Sequence, residues 1–281
     1  MGPKETIDGI LYVSDLDGTL MKNDETLSQD TVEIINELVQ KGLSFTYATA
    51  RSIESARTIT GELNLKLPVI TRNGAVLADN ATGKHLERAL FTKEEVELIK
   101  KLLPELPKYG FVSCFLGKEM HRLYVDGEHS PELQGYLDYY ENNPTVRPVA
   151  TMAELFCGEP GYVTLIGSKG EIGALYERVK EYHGWESLFQ KDTYRDEYWL
   201  EICPQNCTKA KTIQKVKERL GYEWLVVFGD GLNDIPMFRI ADEAYAVSNA
   251  LDELKQFATD VIGSNEENAV AKFLKRQMES E

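Results

Sequence analysis

The chain has 281 residues, of which 42% are hydrophobic and 27% charged, and it carries a formal net charge of −15. This length suits two domains of ordinary size or one large one, and the composition is that of a globular protein. The acidic balance argues against nucleic acid as a partner, which would need a basic face. No apolar stretch approaches the roughly 18 residues that span a bilayer, so no membrane partner is expected. Four scattered cysteines, Cys114, Cys157, Cys203 and Cys207, form no disulfide framework and suit a reducing, cytoplasmic setting.

The apolar, β-branched run at 10–14 predicts a buried strand, and Asp15-Leu16-Asp17-Gly18-Thr19 stands where it ends. Two carboxylates one residue apart at the edge of a core repel each other and lose hydration; a cation or a chemical role would offset that cost. The segment 20–27 reads as a loop. Ser28 is an N-cap, and Val32, Ile35, Leu38 and Val39 recur at helical spacing up to Gly42. A strand over 43–48 runs into Thr49-Ala50-Arg51, a helix follows over 52–63, and a strand over 68–71 ends at Arg72-Asn73-Gly74. This alternation predicts a parallel sheet with right-handed crossovers, in which ligands bind beyond the carboxyl ends of the strands.

The pattern then changes. A hairpin is expected over 75–77 and 84–90, and Thr92 with Glu95 forms a capping box that opens a helix to about 103. A second hairpin is expected over 111–116 and 120–125. After it come a helix at 132–141, a strand near 146, a short helix at 152–156, a strand at 162–167, a helix at 171–183 and two strands running to 203. Hairpins mixed with helices indicate an α+β domain inserted at 83–194 into an α/β core domain made of 1–82 and 195–281. The α/β alternation returns with a helix from Thr208 to about 220. A strand at 224–228 ends in Gly229-Asp230-Gly231-Leu232-Asn233-Asp234, and a helix at 235–240, a strand at 245–247, another helix, a strand at 261–262 and a helix from about 267 follow.

The strand ends of one predicted sheet therefore collect Asp15 with Asp17, Thr49, Asn73, Lys209, and Asp230 with Asn233 and Asp234. Converging carboxylates with few other donors make an oxygen site for a hard cation, and Mg²⁺ suits it. Lys209 and Thr49 add donors for a phosphoryl group, with Lys211 as a competitor to Lys209. An aspartate beside such a cation is a competent nucleophile toward phosphorus.

These motifs, in this order, resemble those of the haloacid dehalogenase-like superfamily: Asp15-Leu16-Asp17-Gly18-Thr19-Leu20, the Thr49 strand end, Lys209, and the Gly229–Asp234 segment. The long insert between the second and third resembles the α+β cap of its Cof-type branch, mostly sugar-phosphate and related phosphatases. The resemblance implies a parallel-sheet, Rossmann-like core with an inserted cap that selects the substrate. It implies that Asp15 is phosphorylated, that Asp17 protonates the leaving oxygen and then activates water, and that Thr49 and Lys209 hold the phosphoryl group. Mg²⁺ would be held by Asp15, the Asp17 backbone carbonyl and Asp230, with Asp234 orienting that shell. Asn73, Gly74, Arg51, Asn233 and Asn249 are the candidate substrate contacts.

The activity implied is a phosphomonoesterase on a small phosphorylated metabolite, sugar phosphates first and phosphorylated cofactors second. A phosphosugar mutase with the same nucleophile and acid, and a phosphometabolite-binding protein with little turnover, remain alternatives. The chain is expected to act as a monomer or homodimer. It departs from the family pattern at Ala50 and Ala210, where glycine is common, at Val247-Ser248-Asn249, and at Asn268-Ala269.

Overall fold

A computed structural model describes residues 9–279 apart from 118, 193, 194 and 206. The chain opens with β1 (Ile10–Ser14), α1 (Gln29–Gln40), β2 (Phe45–Tyr47), α2 (Ile53–Thr60), β3 (Val69–Thr71), β4 (Val76–Ala78) and β5 (His85–Arg88). Then come α3 (Lys93–Leu102), α4 (Leu106–Tyr109), β6 (Gly110–Leu116), β7 (Glu119–Val125), α5 (Pro131–Tyr139), β8 (Val146–Val149), β9 (Glu159–Gly167), α6 (Lys169–Val179), β10 (Trp185–Lys191) and β11 (Tyr198–Pro204). It closes with α7 (Lys209–Leu220), β12 (Trp224–Gly229), α8 (Ile235–Ile240), β13 (Glu243–Ala246), α9 (Asp252–Lys255), β14 (Asp260–Val261) and α10 (Ala269–Glu279). Among the described residues no helix is long and apolar enough to cross a membrane.

Two compact units result: the residues up to Glu87 together with those from Thr208 onward, and Arg88–Cys207 between them. These borders differ from 83 and 194. Strand β5 extends the β3–β4 sheet, and Glu87 pairs with Lys215 and Arg219 of α7, which keeps 83–87 with the first unit. At the other border, β11 is paired to both β10 and β9, so a cut near 194 would sever a hairpin. Residues 193 and 194 themselves lie outside the described residues, as does Lys118 in the expected 111–125 hairpin.

In the first unit a parallel sheet runs in the order β14-β13-β12-β1-β2. Strand β1 lies between β12 and β2, with Ser14 level with Phe228 on one side and Tyr47 on the other. Every residue of β1 is buried, which its unbroken apolar run requires of a strand covered on both faces. The third strand of the expected alternation, β3, belongs to an antiparallel three-stranded sheet with β4 and β5. An isolated parallel bridge from Ile70 to Ala48 and the Thr46 hydroxyl, which donates to the Pro68 carbonyl, join it to the parallel sheet. Caps fix the helix starts as the sequence suggested: Ser28 accepts from the Thr31 N–H, and Thr208 from the Lys211 N–H.

The second unit is built on a six-stranded sheet ordered β10-β11-β9-β6-β7-β8. A large core that includes Val112, Leu123, Val163, Leu165, Leu200 and Ile202 packs with Ile99, Leu106 and Ile172 of α3, α4 and α6. The side chains that alternate with these, Phe111 and Ile166 among them, pack with Leu133, Tyr136 and Leu137 of α5. The Thr92–Glu95 capping box is formed. Replacing Leu11, fully buried in β1, by alanine is expected to destabilise the first unit by roughly 2–5 kcal/mol. Thermal unfolding monitored by circular dichroism checks this.

Candidate active site

The site forms where β1 and β12 end side by side. The Asp15 N–H donates to the Phe228 carbonyl at 2.9 Å, so the segments after both strands leave at the same level. After Asp15 the chain makes a wide turn over Leu16–Leu20, with Gly18 at φ +69°. The turn is packed against Asp230: a Cβ on Gly18 would lie 2.3 Å from Asp230 Oδ2, and the Thr19 hydroxyl donates to Asp230 Oδ1 at 3.0 Å. Glycine is therefore required here twice, for its left-handed backbone and for the space Asp230 fills.

Asp15, Asp230 and Asp234 bring carboxylate oxygens within 4.8 Å of one another. Lys209, at the first position of α7, reaches them: its Nζ donates to Asp15 Oδ1 at 2.7 Å and to Asp234 Oδ1 at 2.8 Å. The other Asp234 oxygen accepts the backbone N–H groups of Asp230 and Gly231 at 3.0 and 3.1 Å, so Asp234 shapes the loop that carries Asp230. Burial is the main force pushing the Asp15 carboxyl well above the usual carboxylate range, and Asp234 adds to it while Lys209 opposes it. Asp230 is raised for the same reasons, burial first and then Asp234. Burial works against the charge of Lys209, but Asp15 and Asp234 outweigh it and hold the ammonium charged.

This donor set fits a hard divalent cation. The three carboxylates carry more negative charge than one ammonium balances, the oxygens lie close enough to share an ion, and no softer ligand type belongs to the cluster.

Thr49 is buried, and its Oγ1 accepts the Arg51 N–H at 3.1 Å, which leaves its own hydrogen to donate. The Asp17 carboxylate is not part of that close cluster, though its charge still pushes Asp15 and Asp230 upward; it meets Arg51, with 2.6 Å between Oδ1 and Nη2. Asn73 and Gly74 lie buried in a loop with Arg72 in which all three have positive φ, at 50°, 103° and 52° respectively. A Cβ on Gly74 would lie 2.4 Å from the Thr208 carbonyl, so that glycine is a packing contact with the start of α7. Asn233 folds over Gly231, its Oδ1 2.7 Å from where a Cβ there would lie.

Asn249, expected at the substrate, instead spends its amide on backbone. Nδ2 donates to the Gly18 carbonyl at 2.7 Å, and Oδ1 accepts the Asn265 N–H at 3.0 Å. Asn265 in turn donates to the Met21 carbonyl at 2.9 Å. Sequence reasoning missed Asn265 and Glu25, the second partner of Arg51. The only sequence signal for either was a polar residue in a loop.

Over residues 12–274 the chain matches the family model described as haloacid dehalogenase-like hydrolase. The chain belongs to this family. Among its relatives, the 5-amino-6-(5-phospho-D-ribitylamino)uracil phosphatase YitU of Bacillus subtilis is 28% identical over 271 residues, covering 94% of this chain and 96% of its own. A second phosphatase of the same name and organism, YwtE, is 27% identical over 278 residues, covering 92% and 95%. The solved structure of the subclass IIB sugar phosphatase BT4131 matches with a TM-score of 0.72 at 19% identity, over 95% of this chain and 98% of that one, which shows a shared fold.

In this haloacid dehalogenase-like hydrolase, Gly18→Ala is expected to cost roughly 1–3 kcal/mol through overpacking and backbone strain. Adding Asp230→Ala should return part of that loss, because the added methyl then has space. Melting temperatures of the two single variants and the double variant check the coupling.

Proposed function

We propose that the chain is a Mg²⁺-dependent phosphomonoesterase that works through an aspartyl phosphate. The observation that carries this reading is the buried Lys209 ammonium held between Asp15 and Asp234, with Asp230 alongside. Such a cluster is costly to fold and is suited to holding a cation and a dianionic phosphoryl group. Asp15 and Asp230, with the Asp17 backbone carbonyl, would hold Mg²⁺, whose charge would keep Asp15 ionised and screen the phosphoryl oxygens.

The chain's own groups supply the rest. An oxygen of Asp15 attacks phosphorus in line as the ester P–O bond breaks, and Asp17 gives its proton to the departing oxygen. Lys209 has three N–H groups and uses two on Asp15 and Asp234, so the third is left for a phosphoryl oxygen. The Thr49 hydroxyl donates to another. Asp17 then takes a proton from water as that water attacks phosphorus, the acyl phosphate P–O bond breaks, and phosphate leaves with Asp15 restored.

We infer that the substrate is a small sugar phosphate or sugar-alcohol phosphate, chosen by the inserted unit. Two B. subtilis relatives named for a phospho-D-ribityl substrate support that class. The net charge of −15 places such an anion in an unfavourable field, which makes the local positive charge at Lys209 the more necessary. The test is phosphate release from a panel of phosphorylated metabolites. Wild type with Mg²⁺ should turn over at least one sugar or sugar-alcohol phosphate. Asp15→Asn should lose on the order of a thousandfold or more, about 4 kcal/mol of barrier, and chelation should abolish the activity reversibly. Transfer of phosphate to a second sugar in preference to water would instead mark a mutase.

A further inference from the structure

We propose that Arg51 and Glu25 act as positioning residues that set the carboxylate of Asp17 for proton transfer to the leaving oxygen. This rests on the phosphomonoesterase reading of the site. Arg51 Nε lies 3.0 Å from each Asp17 oxygen, and Nη2 donates to Asp17 Oδ1 at 2.6 Å. The same Nη2 donates to Glu25 Oε2 at 2.7 Å, so one guanidinium is gripped by two carboxylates. Nη1 has only a long contact, 3.5 Å, to the Ser55 hydroxyl. An arginine fork bonded in its own plane to two acceptors cannot swing to follow one without losing the other.

The backbone of Arg51 is held as firmly as its side chain. Its N–H donates to Thr49 Oγ1, and its carbonyl accepts the Arg72 N–H at 2.9 Å. Glu25 is presented by a turn in which the Lys22 N–H donates to the Thr26 carbonyl and the Glu25 N–H to the Lys22 carbonyl. Glu25 sits there at φ +61°, a left-handed conformation uncommon for glutamate, which local fixing sustains. Arg51 therefore acts on the chemistry through Asp17. The two carboxylates engage Nε and Nη2, so any substrate contact by Arg51 would fall to Nη1.

Proton donation matters in proportion to the basicity of the leaving oxygen. An alkoxide leaving from a sugar phosphate needs the proton, whereas a nitrophenolate leaves readily without it. The ratio of kcat/KM for an accepted sugar phosphate to kcat/KM for p-nitrophenyl phosphate therefore reads the alignment of the acid. It is insensitive to general damage, and it excludes the later hydrolysis step. The experiment measures this ratio for wild type, Asp17→Asn, Arg51→Lys and Glu25→Gln, all with Mg²⁺.

Asp17→Asn and Arg51→Lys should each lower the ratio by roughly a hundredfold. Glu25→Gln, a near-isosteric change at a half-exposed side chain, should lower it by about tenfold with KM for p-nitrophenyl phosphate unchanged. Equal losses on both substrates in the Arg51 and Glu25 variants would overturn the proposal, and so would a rise in KM alone. In either case a lowered ratio in Asp17→Asn would leave the phosphomonoesterase reading standing. An unchanged ratio in Asp17→Asn would remove the acid role of Asp17 and the proposal with it.

Discussion

The Lys209 ammonium lies 2.7 Å from Asp15 and 2.8 Å from Asp234, and all three side chains are buried. Moving three charges out of water is expensive, and their attraction repays the cost only when the geometry is good and the remaining atoms are bonded. Each condition is met by a different segment. The parallel register of β1 against β12 sets Ser14 level with Phe228, so that Asp15 and Asp230 both follow just beyond the paired ends, and the Thr208 cap starts α7 so that its first residue reaches inward. The Asp230 and Gly231 amides occupy the second Asp234 oxygen. A buried pair of this kind is weak evidence for stability. It is better explained as the means by which carboxylates that repel one another are kept together.

The turn that carries Gly18 is secured from the far end of the chain. Asn249 holds the Gly18 carbonyl, and Asn265 holds both Asn249 and the Met21 carbonyl. Ser28, which caps α1, also donates to the Asn268 side chain at 2.8 Å. These bonds cross sequence separations of up to 244 residues, so the turn that follows Asp15 is fixed by groups far from it in the chain. Phosphoryl transfer depends largely on alignment, so such bonds act on catalysis through the position of atoms rather than through charge.

The residues legible from sequence were those whose position follows from a single element. Asp15, Thr49 and Asp230 stand where apolar runs stop, and Ser28, Thr92 and Thr208 stand where helical spacing begins; the structure places them there. What escaped depends on pairs of elements. Arg51 could be seen at a strand end, but its partner Glu25 is brought into reach by one left-handed residue in a loop, which no periodicity marks. Asn249, expected as a substrate contact, also clamps the backbone of two loops, and no periodicity marks that role. A border near 194 would divide β10 from β11, which pair with each other, and antiparallel pairing is not written in either strand alone.

Strand β1 is paired on both sides, yet its neighbour β12 arrives far later in the chain; Thr19 and the Asp230 it bonds are separated by 211 positions. During synthesis the amino-terminal segment therefore emerges with one flank of β1 unpaired, and it stays so while the whole of the inserted unit is made. At translation rates of about 5–20 residues per second that wait lasts on the order of ten seconds or more. The inserted unit, whose strands pair only among themselves, can complete its sheet in the interval. A unit that folds first shortens the effective loop that must close when β12 leaves the ribosome, so a long insertion between the two halves of a site costs less chain entropy than its length implies.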